Sequence, residues 1–362
     1  MSSYSLITQF RRRIAQSKLD AYLVVHPPDI RYLTGVPAED AWLLVLPRKT
    51  YYLTDARYTE HVRKQAPDGV VVKEICKSLP AETARILGRY SRLRTGVDGR
   101  HISLLLWKTL KKYCPRQSVL RDVSGCVQDL RRIKTEAEIA AIRESIRINQ
   151  DLFRYLRRVI RPGKTEQEIK NRMADFVLRR GVSFSFDPIV ASGPNSAYPH
   201  ARVTGRRIRA ADPVLVDAGI EKNGYKSDLT RIFLSDKIPH SIRAAYRAVA
   251  EAQQCAIAGI AAGRPVAEAD QAARKSLRQN NLLRYCAHAL GHGVGLEIHE
   301  PPRVSVKSRE TFSAGMVVTV EPGIYRPGHY GIRVEDMVLV TGQGSQILSR
   351  GQDPEAPQVF RC

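Results

Sequence analysis

The segment VLVDAGIEKNGYKSDLTRIFL, residues 214–234, constrains the fold most. Apolar runs flank a turn-forming EKNG, so it reads as a β-hairpin. Two registers are open. With Lys222 and Asn223 as the two-residue loop, Asp217 pairs directly with Asp228. With Asn223 and Gly224, the composition type I′ turns prefer, Asp217 faces Thr230 and lies diagonal to Asp228. Either register places both aspartates on one face, with directly paired β-carbons about 4.5–5.5 Å apart. Two carboxylates that close on a buried face repel and stay protonated, unless a cation lies between them.

A second segment supplies imidazole. HALGHGVGLEIHEPP, residues 288–302, holds His288, His292 and His299. The spacing of His288 and His292 suits a zinc-protease helix, but that motif needs Glu directly after the first His. Ala289 stands there, and Gly291, Gly293 and Gly295 disfavour a helix. Two further acids sit beside strand-like runs: Glu321 after MVVTV, and Glu335 in GIRVEDMVLV, where alternation puts Arg333 on the same face. Any one of these residues alone has an ordinary reading as a turn former or surface acid. Four carboxylates and at least one His in apolar strand contexts point instead to a pair of divalent first-row metals. Mn²⁺ suits a mostly oxygen set, and Zn²⁺, Co²⁺ or Fe²⁺ also fit. Such a pair acidifies a bound water for hydrolysis.

The organisation agrees with a two-part chain. AYLVVH, AWLLVLP and TYYLTD read as buried strands, HVRKQAPDG as a helix end, and GVDG at 96–99 as a strand-to-loop step. From about residue 130 the texture turns helical, and Thr135 with Glu138 fits a capping box. The expected boundary separates 1–128 from 129–362. A faint repeat sets VIRPGKTEQEI (159–169) against GIAAGRPVAEA (259–269), suggesting two related halves facing a cleft. No apolar run approaches the roughly 20 residues of a membrane span. The basic start reads as an amphipathic helix, with a mitochondrial presequence as the other reading. Six scattered cysteines, among them Cys362, read as free thiols of a reducing compartment, so a cytoplasmic location is expected. The net charge of +22 lacks any nucleic-acid motif and reads as a solvated basic surface.

These blocks resemble the proline-specific pita-bread metallopeptidases, the Xaa-Pro dipeptidases and Xaa-Pro aminopeptidases. The resemblance rests on SGPNSAYPHA, VDAGIEKNGYKSDLTRIF, HALGHGVGLEIHEPP, VEPGIY and GIRVED in order, and on DAYLVVHPPDIRYLTG and LTDARY in the first third. It implies an α+β chain: an α/β creatinase-like N-terminal domain, then a pita-bread catalytic domain with two related α/β halves. It implies Asp217, Asp228, His292, Glu321 and Glu335 as ligands to two divalent ions, Mn²⁺ first among them. Glu321 would also be the general base, and His200 would bind the scissile carbonyl oxygen. His288 and His299 would line the substrate site, Arg333 would support Glu335 or meet substrate, and Thr230 would stand behind the metals. Tyr198, where smaller or aliphatic residues are common in the family, would narrow the pocket beside His200. Arg303, Arg326 and His329 are candidates to meet a free C-terminal carboxylate. The implied substrate is a peptide with proline second, and the implied assembly a homodimer. The other functions considered are a basic binding protein on the same fold and a metal-dependent hydrolase of a non-peptide amide.

Overall fold

The computed structural model describes residues 3–37, 39–90, 92–116, 118–350 and 358–360. The chain divides into two compact units, Met1–Arg131 and Arg132–Cys362. In the first, β1 (Ala21–Val24), β2 (Trp42–Val45), β3 (Thr50–Thr54), β4 (Val70–Glu74), β5 (Arg94–Val97) and β6 (Val119–Asp122) form one sheet, ordered β4-β3-β2-β1-β5-β6. Helices α1 (Ser3–Gln16), α2 (Pro27–Thr34), α3 (Ala56–Gln65), α4 (Leu79–Leu87), α5 (Leu104–Tyr113) and α6 (Gln128–Arg131) accompany it. Every residue of β1, β2 and β3 is buried, which is why these strands read as continuous apolar runs without alternation. Helix α3 stops at Ala66, whose backbone is extended ahead of Pro67.

The second unit opens with α7 (Glu136–Val159). Its capping box is formed: Glu138 N–H donates to Thr135 Oγ1 at 3.3 Å, and Thr135 N–H donates to Glu138 Oε2 at 2.9 Å. The remaining elements are α8 (Glu166–Arg179), β7 (Ser183–Phe184), β8 (Ile189–Ser192), β9 (Val214–Ala218), β10 (Ile220–Lys222), β11 (Tyr225–Lys226) and β12 (Leu229–Ser235). Then follow α9 (His240–Ala258), α10 (Val266–Gln279), β13 (Gly291–Gly293), β14 (Glu300–Val304), β15 (Val317–Val320), β16 (Gly323–Arg326), β17 (Tyr330–Arg333), β18 (Asp336–Val340), β19 (Ser345–Ile347) and β20 (Gln358–Phe360). One half centres on the sheet β20-β12-β9-β8, the other on β14-β13-β15-β18-β19. α7 and α8 pack on the first with Leu152, Ile169 and Val216 in its core, and α9 and α10 on the second with Val249, Ala273 and Val318.

The repeat at an offset of 100 residues is present in the hydrogen bonds. Gly163 N–H donates to Ile208 C=O at 2.9 Å, and Gly263 N–H to Phe312 C=O at 2.8 Å. Both glycines have positive φ, 86° and 84°, and each precedes an equivalent helix by the same interval. The hairpin takes the second of its two registers. Thr230 lies opposite Asp217 and Lys222 opposite Tyr225, leaving Asn223-Gly224 as a loop with φ of 53° and 80°. Cys76, Cys114, Cys126, Cys255 and Cys286 are free thiols, and Cys362 lies outside the described residues. Among the described residues no helix is long and apolar enough to cross a membrane.

The N-terminal unit holds a buried polar knot behind β5. Burial alone would raise the Asp98 carboxyl, but the Arg100 guanidinium at 2.8 Å and the backbone N–H groups of Gly125 and Arg100 hold it well below the usual carboxylate range. Folding thus favours the ionised form. That stabilisation is complete above about pH 4, the ordinary carboxylate value, and fades as pH falls further. Asp98→Asn should therefore cost about 2 kcal/mol at pH 7, the scale of hydrogen bonds to a charged group. In thermal unfolding, the gap to wild type should narrow at pH 3. An equal gap at both values would assign the loss to packing.

Candidate metal centre

Each candidate ligand sits at a strand end or strand centre that faces one cavity of about 1050 Å³. Asp217 is on β9, Asp228 immediately precedes β12, His292 is central in β13, Glu321 follows β15, and Glu335 lies between β17 and β18. The hairpin register brings Asp217 and Thr230 side by side, and the Glu335 N–H donates to Thr230 C=O at 3.2 Å, joining the two halves. The pairing of β13 with β14 shifts register between His292 and Gly293, a bulge of the kind that re-aims a side chain. The glycines of this segment serve strand packing: a β-carbon at Gly291 would overlap the Thr319 carbonyl, and one at Gly293 the Pro301 carbonyl.

The side chains converge. Asp228, His292 and Glu335 offer ligand atoms that all lie within 4.8 Å of one another. His292 Nε2 is 3.4 Å from Glu321 Oε1 and 3.7 Å from Asp228 Oδ2. Thr319 is a common post: its hydroxyl accepts from His292 N–H at 3.1 Å and donates to Glu321 Oε1 at 3.4 Å. Arg333 is buried and spreads its fork over the centre. Its Nη2 donates to Asp217 at 2.6 Å, Nε to Thr230 Oγ1 at 3.1 Å, and Nη1 to Tyr325 Oη at 2.6 Å and Pro199 C=O at 3.2 Å. Thr230 in turn donates to Glu335 Oε2 at 2.8 Å. Arg333 thus reaches Glu335 through Thr230.

Without a counter-cation this arrangement is electrostatically unsatisfied. Burial, then the charges of Glu335, Asp217 and Glu321, push Asp228 well above the usual carboxylate range. Burial, then Glu321 and Asp217, do the same to Glu335. Burial lifts Glu321 to about 8 against the pull of Arg333. His292 is driven down to about 4 by burial and by His299, so its ring is neutral and able to ligate. Asp217 Oδ1 is buried and takes no hydrogen bond. Bare carboxylate oxygens, mutually repelling acids and a neutral imidazole are the donor set a divalent cation satisfies, so the residues present fit one.

The other expected residues separate into two groups. His200, His288 and His299 line the same cavity, as does Arg303. His288 Nε2 hydrogen-bonds Tyr325 Oη at 2.8 Å, and burial lowers its ring to about 4. His299 packs edge-on to His292, with ring centroids 4.4 Å apart. Arg326, His329 and Tyr198 are not on the cavity wall; Tyr198 is exposed and does not narrow the pocket. Tyr325 escapes sequence reasoning, because nothing in GIYR distinguishes it from a packing aromatic. A second trio, His26, Asp29 and His101 in the N-terminal unit, also has ligand-type atoms within 4.8 Å. There Arg131 already holds Asp29 at 2.6 Å and Gln128 contacts His101 at 2.6 Å, so two of the three side chains are engaged by protein partners.

The description "Metallopeptidase family M24" matches residues 140–342, and "Creatinase/Prolidase N-terminal domain" matches residues 7–133. The chain belongs to metallopeptidase family M24. It is a metallopeptidase whose family works with divalent metal, and its fold is a creatinase-like N-terminal domain followed by the pita-bread domain. An Xaa-Pro dipeptidase of Pyrococcus furiosus is 32% identical to this M24 chain over 92% of it and 94% of that protein. The structure of an Xaa-Pro dipeptidase from Bacillus anthracis superposes with a TM-score of 0.93 at 30% identity, covering 100% of both chains. That of an X-Pro aminopeptidase from Thermotoga maritima gives 0.87 at 26%, covering 97% of this chain and 100% of that one.

In chelator-treated M24 peptidase, Asp228→Asn removes one of several buried acids whose ionised forms burial and mutual repulsion disfavour. Its thermal midpoint should equal or exceed that of chelated wild type. Added Mn²⁺ at a hundredfold excess over its Kd should stabilise wild type by about 2.7 kcal/mol and leave the variant unmoved. A variant that responds like wild type would remove Asp228 from the metal-holding set.

Proposed function

We propose that this chain hydrolyses the peptide bond between an N-terminal residue and proline, with two divalent ions, Mn²⁺ first, held by Asp217, Asp228, His292, Glu321 and Glu335. The observation that carries the reading is the convergence of four carboxylates and a neutral His on one cavity wall. The oxygen-rich set favours Mn²⁺. Bound there, the ions supply Lewis acidity and an acidified water.

The chain's own groups do the rest. Glu321 opens onto the cavity and takes the proton of the attacking water as general base. His200, exposed on the same wall, donates to the oxyanion that develops on the scissile carbonyl. His288, oriented by Tyr325, and His299 flank the substrate. Arg333 holds Asp217 and Thr230 in place and is occupied by these protein partners, which makes it a positioning group. A purely binding protein on this fold has no use for several mutually repelling buried acids, and they weigh against that alternative.

Arg303, exposed on β14 at the cavity wall, supports a dipeptide substrate, because its guanidinium suits the free carboxylate of a C-terminal proline. With Mn²⁺ supplied, Ala-Pro and Gly-Pro should turn over, and Arg303→Ala should raise KM for Ala-Pro about 10- to 100-fold. The same substitution should scarcely change KM for Ala-Pro amide, which lacks the carboxylate. Equal effects on both would release Arg303 from this role. Inert dipeptides together with inert longer Xaa-Pro peptides, with Mn²⁺ or Co²⁺ present, would reject the peptidase reading itself.

A further inference from the structure

Glu166, in the first turn of α8, is fully buried and lies outside the metal centre. Its Oε1 accepts from the Ser192 N–H at 2.7 Å and the Ser192 hydroxyl at 2.8 Å. Its Oε2 accepts from Asn195 Nδ2 at 2.8 Å, the Thr204 N–H at 3.0 Å and the Thr204 hydroxyl at 2.7 Å. No Lys or Arg among the described residues pairs with it. These converging donors satisfy both carboxyl oxygens.

The donors come from the two ends of one chain segment. Ser192 ends β8 and Thr204 lies twelve residues on, so Glu166 closes the arm 193–203 into a loop with His200 near its tip. Asn195 reinforces the closure by donating also to Arg202 C=O at 3.1 Å. The arm reaches the metal centre at two points: Ser196 Oγ accepts from Gly331 N–H at 2.8 Å, and Pro199 C=O accepts from Arg333. The His200 ring is exposed, so its placement is inherited from this backbone.

We propose that Glu166 is a positioning residue for His200: the buried carboxylate fixes both ends of the arm and so sets where His200 meets the substrate carbonyl. This rests on the role given to His200 above. A glutamine at 166 keeps the shape but turns one acceptor into an NH₂ that faces donors at either end, so one end of the arm must move. A displacement of about 1 Å far from the chemistry costs about 100-fold in rate.

The test is a double-mutant cycle of Glu166→Gln and His200→Ala, followed by kcat, KM, metal content and amide hydrogen exchange. Glu166→Gln alone should lower kcat about 100-fold, leave bound metal unchanged, and speed exchange in 193–204 but not around Asp217 and Asp228. In the His200→Ala background it should add no further loss. Losses that multiply, lost metal, or unaltered exchange would overturn the assignment. Should Glu166→Gln fail to fold, Thr204→Val removes a single donor and should give a cut of about tenfold that likewise vanishes without His200. Wild type that is inert on every Xaa-Pro peptide, with exchange responding as described, would sink the peptidase reading and keep the anchor.

Discussion

Repulsion among buried carboxylates is the constraint around which the catalytic domain is built. Asp217, Asp228 and Glu335 are buried, Glu321 faces the cavity, and burial drives Asp228, Glu335 and Glu321 toward protonation. A lone salt bridge does not solve this, since the one central guanidinium, Arg333, is committed to Asp217. The fold keeps the acids together by putting them on or directly beside strands of separate sheets, where backbone hydrogen bonds, not side-chain attraction, set their spacing. A divalent cation held among these acids would offset that repulsion, so its relief would contribute to metal affinity.

The two halves hold cavity-lining segments in parallel ways. In the first, Glu166 of α8 gathers the ends of the His200 arm. In the second, Asp270 of α10 accepts from Val306 N–H at 2.9 Å and from Arg274 Nε at 2.9 Å, and Arg274 donates to His288 C=O at 2.8 Å. Both carboxylates are buried near the start of helices that begin 100 residues apart. They are not at equivalent positions, since Glu166 aligns with Val266. The halves share a backbone plan and reach similar support by different side chains.

Much of this was legible in the chain before its coordinates. The Asn223-Gly224 turn carries its own preference for positive φ, and the register it selects is the one observed. The Thr135–Glu138 capping box is local chemistry and appears where expected. The acids were legible because a charged residue inside an apolar strand run is costly without a partner. Tyr325, Glu166 and the failure of Tyr198 to reach the pocket were not legible. Glu166 reads as a first-turn helix acid, and only the return of the chain at Thr204 reveals its donors. Tyr198 and His200 are two residues apart in an irregular arm, where no periodicity says which faces the cavity.

Arg333 shows why the centre is more than its ligands. Burial opposes its charge, yet Tyr325, Asp217, Glu321 and Glu335 hold it protonated. Its three nitrogens serve three directions: Nε to Thr230, Nη2 to Asp217, and Nη1 to Tyr325 and the His200 arm at Pro199. A lysine ammonium is a single point and cannot reproduce that planar fork. Through Thr230 the same guanidinium orients Glu335, and through Tyr325 it orients His288. One buried guanidinium therefore links the carboxylates Asp217 and Glu335 to the cavity-lining His288 by hydrogen bonds.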